Sequence, residues 1–109
     1  MTPIEAFELL DLRTGKITQV ELNREAIKPA YKIWIDFGEL GVKTTSGQYT
    51  GLYQPEELID KIVVCAVNLG KRRIAGFTSE VLMLGVPQGP GEVVYLSTER
   101  NVTLGTRVF

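Results

Sequence analysis

The chain has 109 residues, of which 44% are hydrophobic and 23% charged, with a formal net charge of -1 and a pI near 5.5. That length supports one domain, residues 1–109, around one core; the charge balance argues against a dedicated nucleic-acid binder, which is usually basic, and no apolar run is long enough to span a bilayer. Histidine is absent and cysteine occurs once, which removes the commonest general base, the usual catalytic triads, most zinc sites and any intrachain disulfide.

At the N-terminus, Thr2 and Glu5 bracket Pro3 in a capping-box pattern, so a short helix is expected from Pro3. Ile4, Phe7 and Leu10 follow on one stripe. A helix this short is unstable alone, so the stripe needs a surface, either its own barrel or a second subunit. The opening residues lack the basic start and apolar run of a signal peptide, and a cytoplasmic location is expected.

After Asp11 the period changes to two. RTGKITQVEL, residues 13–22, reads as a first strand, with Gly15 marking a bulge or sharp bend. YKIWIDFG, residues 31–38, is the clearest half-buried strand: Ile33, Ile35 and Phe37 share one face, Lys32, Trp34 and Asp36 the other. Gly38–Gly41 turn into a third strand over residues 42–50, and Pro55 heads a brief helix in YQPEELIDK.

IVVCAVNL, residues 62–69, is continuously apolar and is expected as a fourth strand buried on both faces, with Cys65 an inert small hydrophobe. GKRRIAG, residues 70–76, reads as a loop, and a fifth strand starts near Phe77, runs through SEVLMLGV, turns over PQGPG and returns through EVVYLST. This order predicts an all-β fold with short helices: a five-stranded Greek-key OB-fold barrel with an N-terminal helix and a C-terminal extension.

The segments DLRTGKI, KPAYKIWIDFG, YQPEELIDKIVVCAVNLGKRRIAGFTSEVLMLGV and GTRVF resemble the CsaA-type secretion chaperones, relatives of the tRNA-binding OB domains appended to some aminoacyl-tRNA synthetases. The tRNA-binding branch typically carries a His-Pro element before strand two and Ser-x-Gly-Met at the start of strand five. This chain has REAIKPAYK and Ser79-Glu80-Val81-Leu82 instead, which look like the chaperone branch. The resemblance implies a non-enzymatic homodimer that needs no cofactor or metal, binds unfolded polypeptides or preproteins, and assists export, with the export machinery as a further partner and weak or no tRNA binding. It also implies that the N-terminal helix and C-terminal extension build the dimer, which suits Ile4, Phe7, Leu10, Val108 and Phe109.

For the peptide site, the resemblance carries over Phe37, Ser46, Gln48, Asn68, Ser79 and Glu80, whose amides, hydroxyls and apolar surface suit capture of a main chain. Arg73, with Ile74 and Ala75, adds a forked donor beside apolar surface. The alternation of Phe37 with Ile33 and Ile35 also fits the barrel interior, Asn68 fits a strand end, and Ser79 fits a turn cap. A second reading makes Lys43, Lys71, Arg72 and Arg73 phosphate contacts and Trp34 or Tyr53 a base-stacking platform.

Overall fold

A computed structural model describes residues 1–109. Helix α1, Pro3–Leu9, starts as its sequence dictates, with the Thr2 hydroxyl accepting from the Glu5 N–H and the Glu5 carboxylate accepting from the Thr2 N–H. Strand β1, Leu12–Leu22, runs antiparallel to β2, Tyr31–Asp36, which pairs in turn with β3, Val42–Gly47, through a 3-10 turn at Gly38–Leu40. Helix α2, Pro55–Leu58, precedes β4, Ile62–Ala66, which returns to the other edge of β1.

The remaining strands are short. They are β5, Arg72–Ile74; β6, Phe77–Ser79; β7, Leu82–Met83; β8, Gly85–Gly89; and β9, Glu92–Tyr95. The main sheet has the order β3-β2-β1-β4-β7. Its two ends come together where the Thr44 carbonyl accepts from the N–H groups of Glu80 at 2.7 Å and Val81 at 3.2 Å. The result is a nearly closed five-stranded antiparallel barrel, the OB-fold architecture that the order of elements predicted.

The core fills as the alternation dictates. Ile33, Ile35 and Phe37 are fully buried against Ile17, Val63 and Cys65, and Leu58 of α2 closes one end. Every residue from Val63 to Ala66 is buried, as expected of a strand paired on both sides, but the strand ends at Ala66 rather than running to Leu69, and Asn68 and Leu69 are exposed. Gly15 faces Ile35 and Phe37 so closely that a Cβ there would lie 2.5 Å from one and 2.8 Å from the other. The register irregularity in β1 falls later, between Ile17 and Gln19. Gly15 is therefore where β1 makes room for two large side chains, and the bulge expected there sits three residues on.

Two further expectations are corrected. Residues 72–79 form a hairpin rather than a loop feeding one long strand: Ile74 pairs with Phe77 across a two-residue turn in which both Ala75 and Gly76 have positive φ, 47° and 78°. That is the turn whose twist matches a hairpin, and Gly76 adopts it without steric cost. The fifth strand is accordingly broken into β6, β7 and β8, because Glu80 and Val81 turn inward to close the barrel on Thr44.

The C-terminal extension lies along the first residues of β1, Leu12 to Thr14, where β2 has not yet begun to pair. The Gly105 and Val108 N–H groups donate to the carbonyls of Thr14 and Leu12, and the Thr14 N–H donates to the Thr106 carbonyl. Arg107 then reaches the end of α1, donating to the Glu8 carbonyl at 2.7 Å and the Leu10 carbonyl at 3.2 Å. A cation at that end also complements the helix dipole.

Candidate functional site

Three cavities adjoin one another beside β3. A central one of about 400 Å³ lies between the β1–β2 loop and the hairpin turn, with Ala26, Ile27, Ala30, Ile74 and Ala75 as its apolar wall and Glu25, Lys28, Ser46 and Gln48 at its rim. A second, of about 250 Å³, shares Ser46 and Ile74 and continues over Leu69, Arg72, Val81 and Leu82. A third, of about 510 Å³, shares Lys28 and Gln48 and continues to Thr50 and the Pro90–Gly91 turn. The shared residues make one groove.

The groove exists because the hairpin stands against the barrel. Thr44 donates its hydroxyl to the Thr78 carbonyl at 2.7 Å, and Trp34 and Phe77 pack as a T-shaped pair with ring centroids 5.4 Å apart. The Lys32 ammonium lies 5.6 Å from the centre of the Phe77 ring, within cation–π reach. Pairing of Arg72 with Ser79 and of Ile74 with Phe77 sets these four side chains on the hairpin face that meets the barrel. The loop on the opposite wall leaves Ile27 fully exposed.

Of the expected peptide contacts, Ser46, Gln48, Ile74, Ala75 and Ser79 are brought together on this groove. The Ser79 hydroxyl is already engaged: it accepts from the Ser46 N–H, donates to the Val81 carbonyl and bonds the Thr45 hydroxyl. Ser79 shapes the wall, leaving Ser46 and Gln48 as free polar groups.

Phe37, Asn68, Arg73 and Glu80 lie elsewhere. Phe37 is wholly buried in the core, as its alternation with Ile33 and Ile35 requires, and presents no surface to a ligand. Asn68 is committed at both ends, its Oδ1 accepting from the Asp11 N–H at 2.9 Å and its Nδ2 donating to the Leu9 carbonyl at 2.8 Å, so it pins α1 to β4. Arg73 pairs with Thr78 on the outer face of the hairpin and donates to its hydroxyl at 3.0 Å, while strand alternation puts Arg72 on the groove side.

Glu80 closes the barrel. Burial alone would raise its carboxyl, but the Thr44 hydroxyl, whose one proton is shared between this carboxylate and the Thr78 carbonyl, and the Thr44 N–H, followed by the charges of Lys71 and Lys43, hold it below the usual 4.5. Lys71 reaches it at 3.7 Å. The basic triplet therefore divides: Lys71 is paired with Glu80, Arg73 with Thr78, and Arg72 has no hydrogen-bond or ion-pair partner. Trp34 is half-buried under Phe77 rather than standing free as a stacking platform.

The β1–β2 loop, which contributes Glu25, Ala26, Ile27, Lys28 and Ala30, was not foreseen. Its signal was Ile27, an apolar residue within the polar, proline-ended stretch NREAIKP, with no strand period to explain it. No group of three or more His, Cys, Asp or Glu stands close enough to hold a metal, and no helix is long and apolar enough to cross a membrane.

The model of the putative tRNA binding domain family matches residues 12–107. Among curated relatives, the methionine-tRNA ligases of Methanococcus vannielii and Methanopyrus kandleri are 36% and 34% identical over 105 residues, 96% of this chain but 15% of each ligase. The chain thus spans about one seventh of the length of these relatives. Among solved structures, the chaperone CsaA of Bacillus anthracis strain Ames is 45% identical with a TM-score of 0.94, covering 100% of this chain and 99% of that one. The CsaA chaperone protein of Picrophilus torridus is 38% identical with a TM-score of 0.91, covering 100% of both chains. The chain belongs to the putative tRNA binding domain family, and it shares its full-length fold with the CsaA chaperones.

Proposed function

We propose that the chain is a non-catalytic chaperone that holds extended segments of unfolded or precursor polypeptides in this groove and so assists protein export from the cytoplasm. The observation that carries the reading is the alignment of the three cavities side by side, with Ser46 and Ile74 lining one junction and Lys28 and Gln48 the other. Residues two apart in extended chain are about 7 Å apart, so the polar groups of Ser46 and Gln48 match the repeat of a client main chain. The apolar wall takes alternate client side chains without reading their identity, which is what a general holdase requires.

A homodimer completes the reading. Ile4 is 62% exposed, Phe7 38% and Phe109 fully exposed, and Arg107 ties the C-terminal segment to the end of α1. Leu10 and Val108 are half-buried at the same place. Burying this patch against a second copy removes it from water, and Phe7→Glu is expected to lower the mass seen by light scattering from two chains to one.

The family match and the ligase relatives favour a second reading, a tRNA-binding module in which Arg72, Lys71, Arg73 and Lys43 meet phosphates. A parallel titration separates the two. An unfolded, reduced polypeptide and a bulk tRNA are each titrated by anisotropy across a salt series. The chaperone reading expects saturable polypeptide binding that survives moderate salt, with tRNA binding lost steeply. Retention of tRNA together with absence of polypeptide binding would reverse the assignment.

A further inference from the structure

Within the groove proposed above, and resting on its peptide reading, we infer that the cavity at Arg72 is a subsite for an apolar client residue that adjoins a carboxylate. Its walls are Leu69, Ile74, Val81 and Leu82, and Arg72 is the one charged side chain among the residues that line it. Glu80 makes no contact with Arg72 and is engaged by Thr44 and Lys71, while Glu25 lines the adjoining central cavity rather than this one. Lys71 and Arg73 have partners and Arg72 has none.

The backbone of Arg72 is fixed from beneath. Its register with Ser79 places it on the face of β5 that carries Ile74, and the Thr44 and Trp34 contacts hold that face against the barrel. Arg72 is exposed at the mouth of this cavity, and its planar fork matches a carboxylate bidentately there while the apolar walls take the adjoining side chain. A basic client segment would instead meet a like charge here. The groove therefore selects extended segments in which a large apolar residue stands beside Asp, Glu or a free chain terminus, and it disfavours clusters of Lys and Arg.

The test uses the full chain and four labelled peptides of one apolar sequence, read by anisotropy: an internal Leu-Glu with amidated end, the same with Leu-Gln, a version that ends at the leucine with a free α-carboxylate, and Leu-Lys with amidated end. Leu-Glu is expected to bind about tenfold more tightly than Leu-Gln at low salt, with Leu-Lys weakest, and the free-terminus peptide shows whether the α-carboxylate serves as well as a side chain. Arg72→Gln is expected to abolish the preference, so that Leu-Glu and Leu-Gln bind alike; Lys71→Gln and Arg73→Gln are expected to retain it. Equal binding of Leu-Glu and Leu-Gln, or equal loss of preference in all three variants, overturns the subsite and leaves the peptide groove standing. Failure of every peptide to bind overturns both. A larger loss of tRNA affinity than of Leu-Glu affinity on Arg72→Gln assigns the guanidinium to phosphate instead.

Discussion

Trp34 and Phe77 meet with ring planes at 67°, and through that pair a residue of the barrel touches a residue of the hairpin that walls the groove. Such a pair contributes about 0.5–1.5 kcal/mol beyond its buried area. Phe77→Ala is expected to shift Trp34 emission to the red, to speed amide exchange in residues 72–79, and to weaken client binding. Filling the groove in the parent chain is expected to change Trp34 emission, since the hairpin and the ring move together.

The seam at Thr44 makes stability depend on pH. Because the folded Glu80 carboxyl lies below its unfolded value near 4.5, its contribution is present above that value and is lost as pH falls from there through the folded value. Urea unfolding at about pH 5 and about pH 3 is expected to show a larger fall for the parent chain than for Glu80→Gln. At neutral pH the variant is expected to be the less stable of the two: its amide oxygen can still accept both Thr44 hydrogen bonds, which go to one oxygen of Glu80, but without the negative charge, and its NH2 replaces the oxygen that faces Lys71.

Asn68 tests a position where family likeness and geometry disagree. Asn68→Ala removes partners from the Asp11 N–H and the Leu9 carbonyl. The expected cost is about 1 kcal/mol, with faster amide exchange confined to residues 3–11. Client affinity is expected to stay as it was, because the side chain lines none of the three cavities.

Ala75 holds a backbone conformation, φ 47°, that costs a non-glycine residue roughly 1 kcal/mol, and it does so on the groove wall. Ala75→Gly is expected to raise the unfolding midpoint while reducing affinity for apolar clients. Calorimetry and the peptide titration together read the two opposite signs.

Gly15→Ala is expected to cost about 1–3 kcal/mol, because the added methyl meets Ile35 and Phe37, both fully buried and without room to retreat. The same experiment distinguishes a glycine kept for space from one kept for a bend. A bend would tolerate alanine, since Gly15 is not among the glycines with positive φ.

The parts of this fold that read directly from sequence are those with at least two full periods. Strand β2 alternates buried and half-buried without exception, and both helices begin at a proline behind a capping residue. The hairpin did not read because three-residue strands carry too little periodicity, and its turn is marked by Ala75-Gly76 rather than Asn-Gly. Closure at Thr44 was hidden for another reason: two side chains, Glu80 and Ser79, supply acceptors that a neighbouring strand would ordinarily provide. Alternation alone already put Phe37 with the core, and the geometry agrees with it against the role carried over from the family. For Arg72 and Arg73, only the hairpin register decides which of two adjacent arginines faces the groove.

The central claim is that the joined cavities beside β3 hold an extended polypeptide. Amide chemical shifts of the isotopically labelled chain, followed while an unfolded polypeptide is added, test it most directly. The account predicts saturable shifts clustered on residues 25–30, 46–50, 69–75 and 79–82, with the outer edge of β1 at Gln19 and Glu21 unmoved. Saturation accompanied by shifts on that outer edge and silence along the groove, or no saturable shift at all, would contradict it.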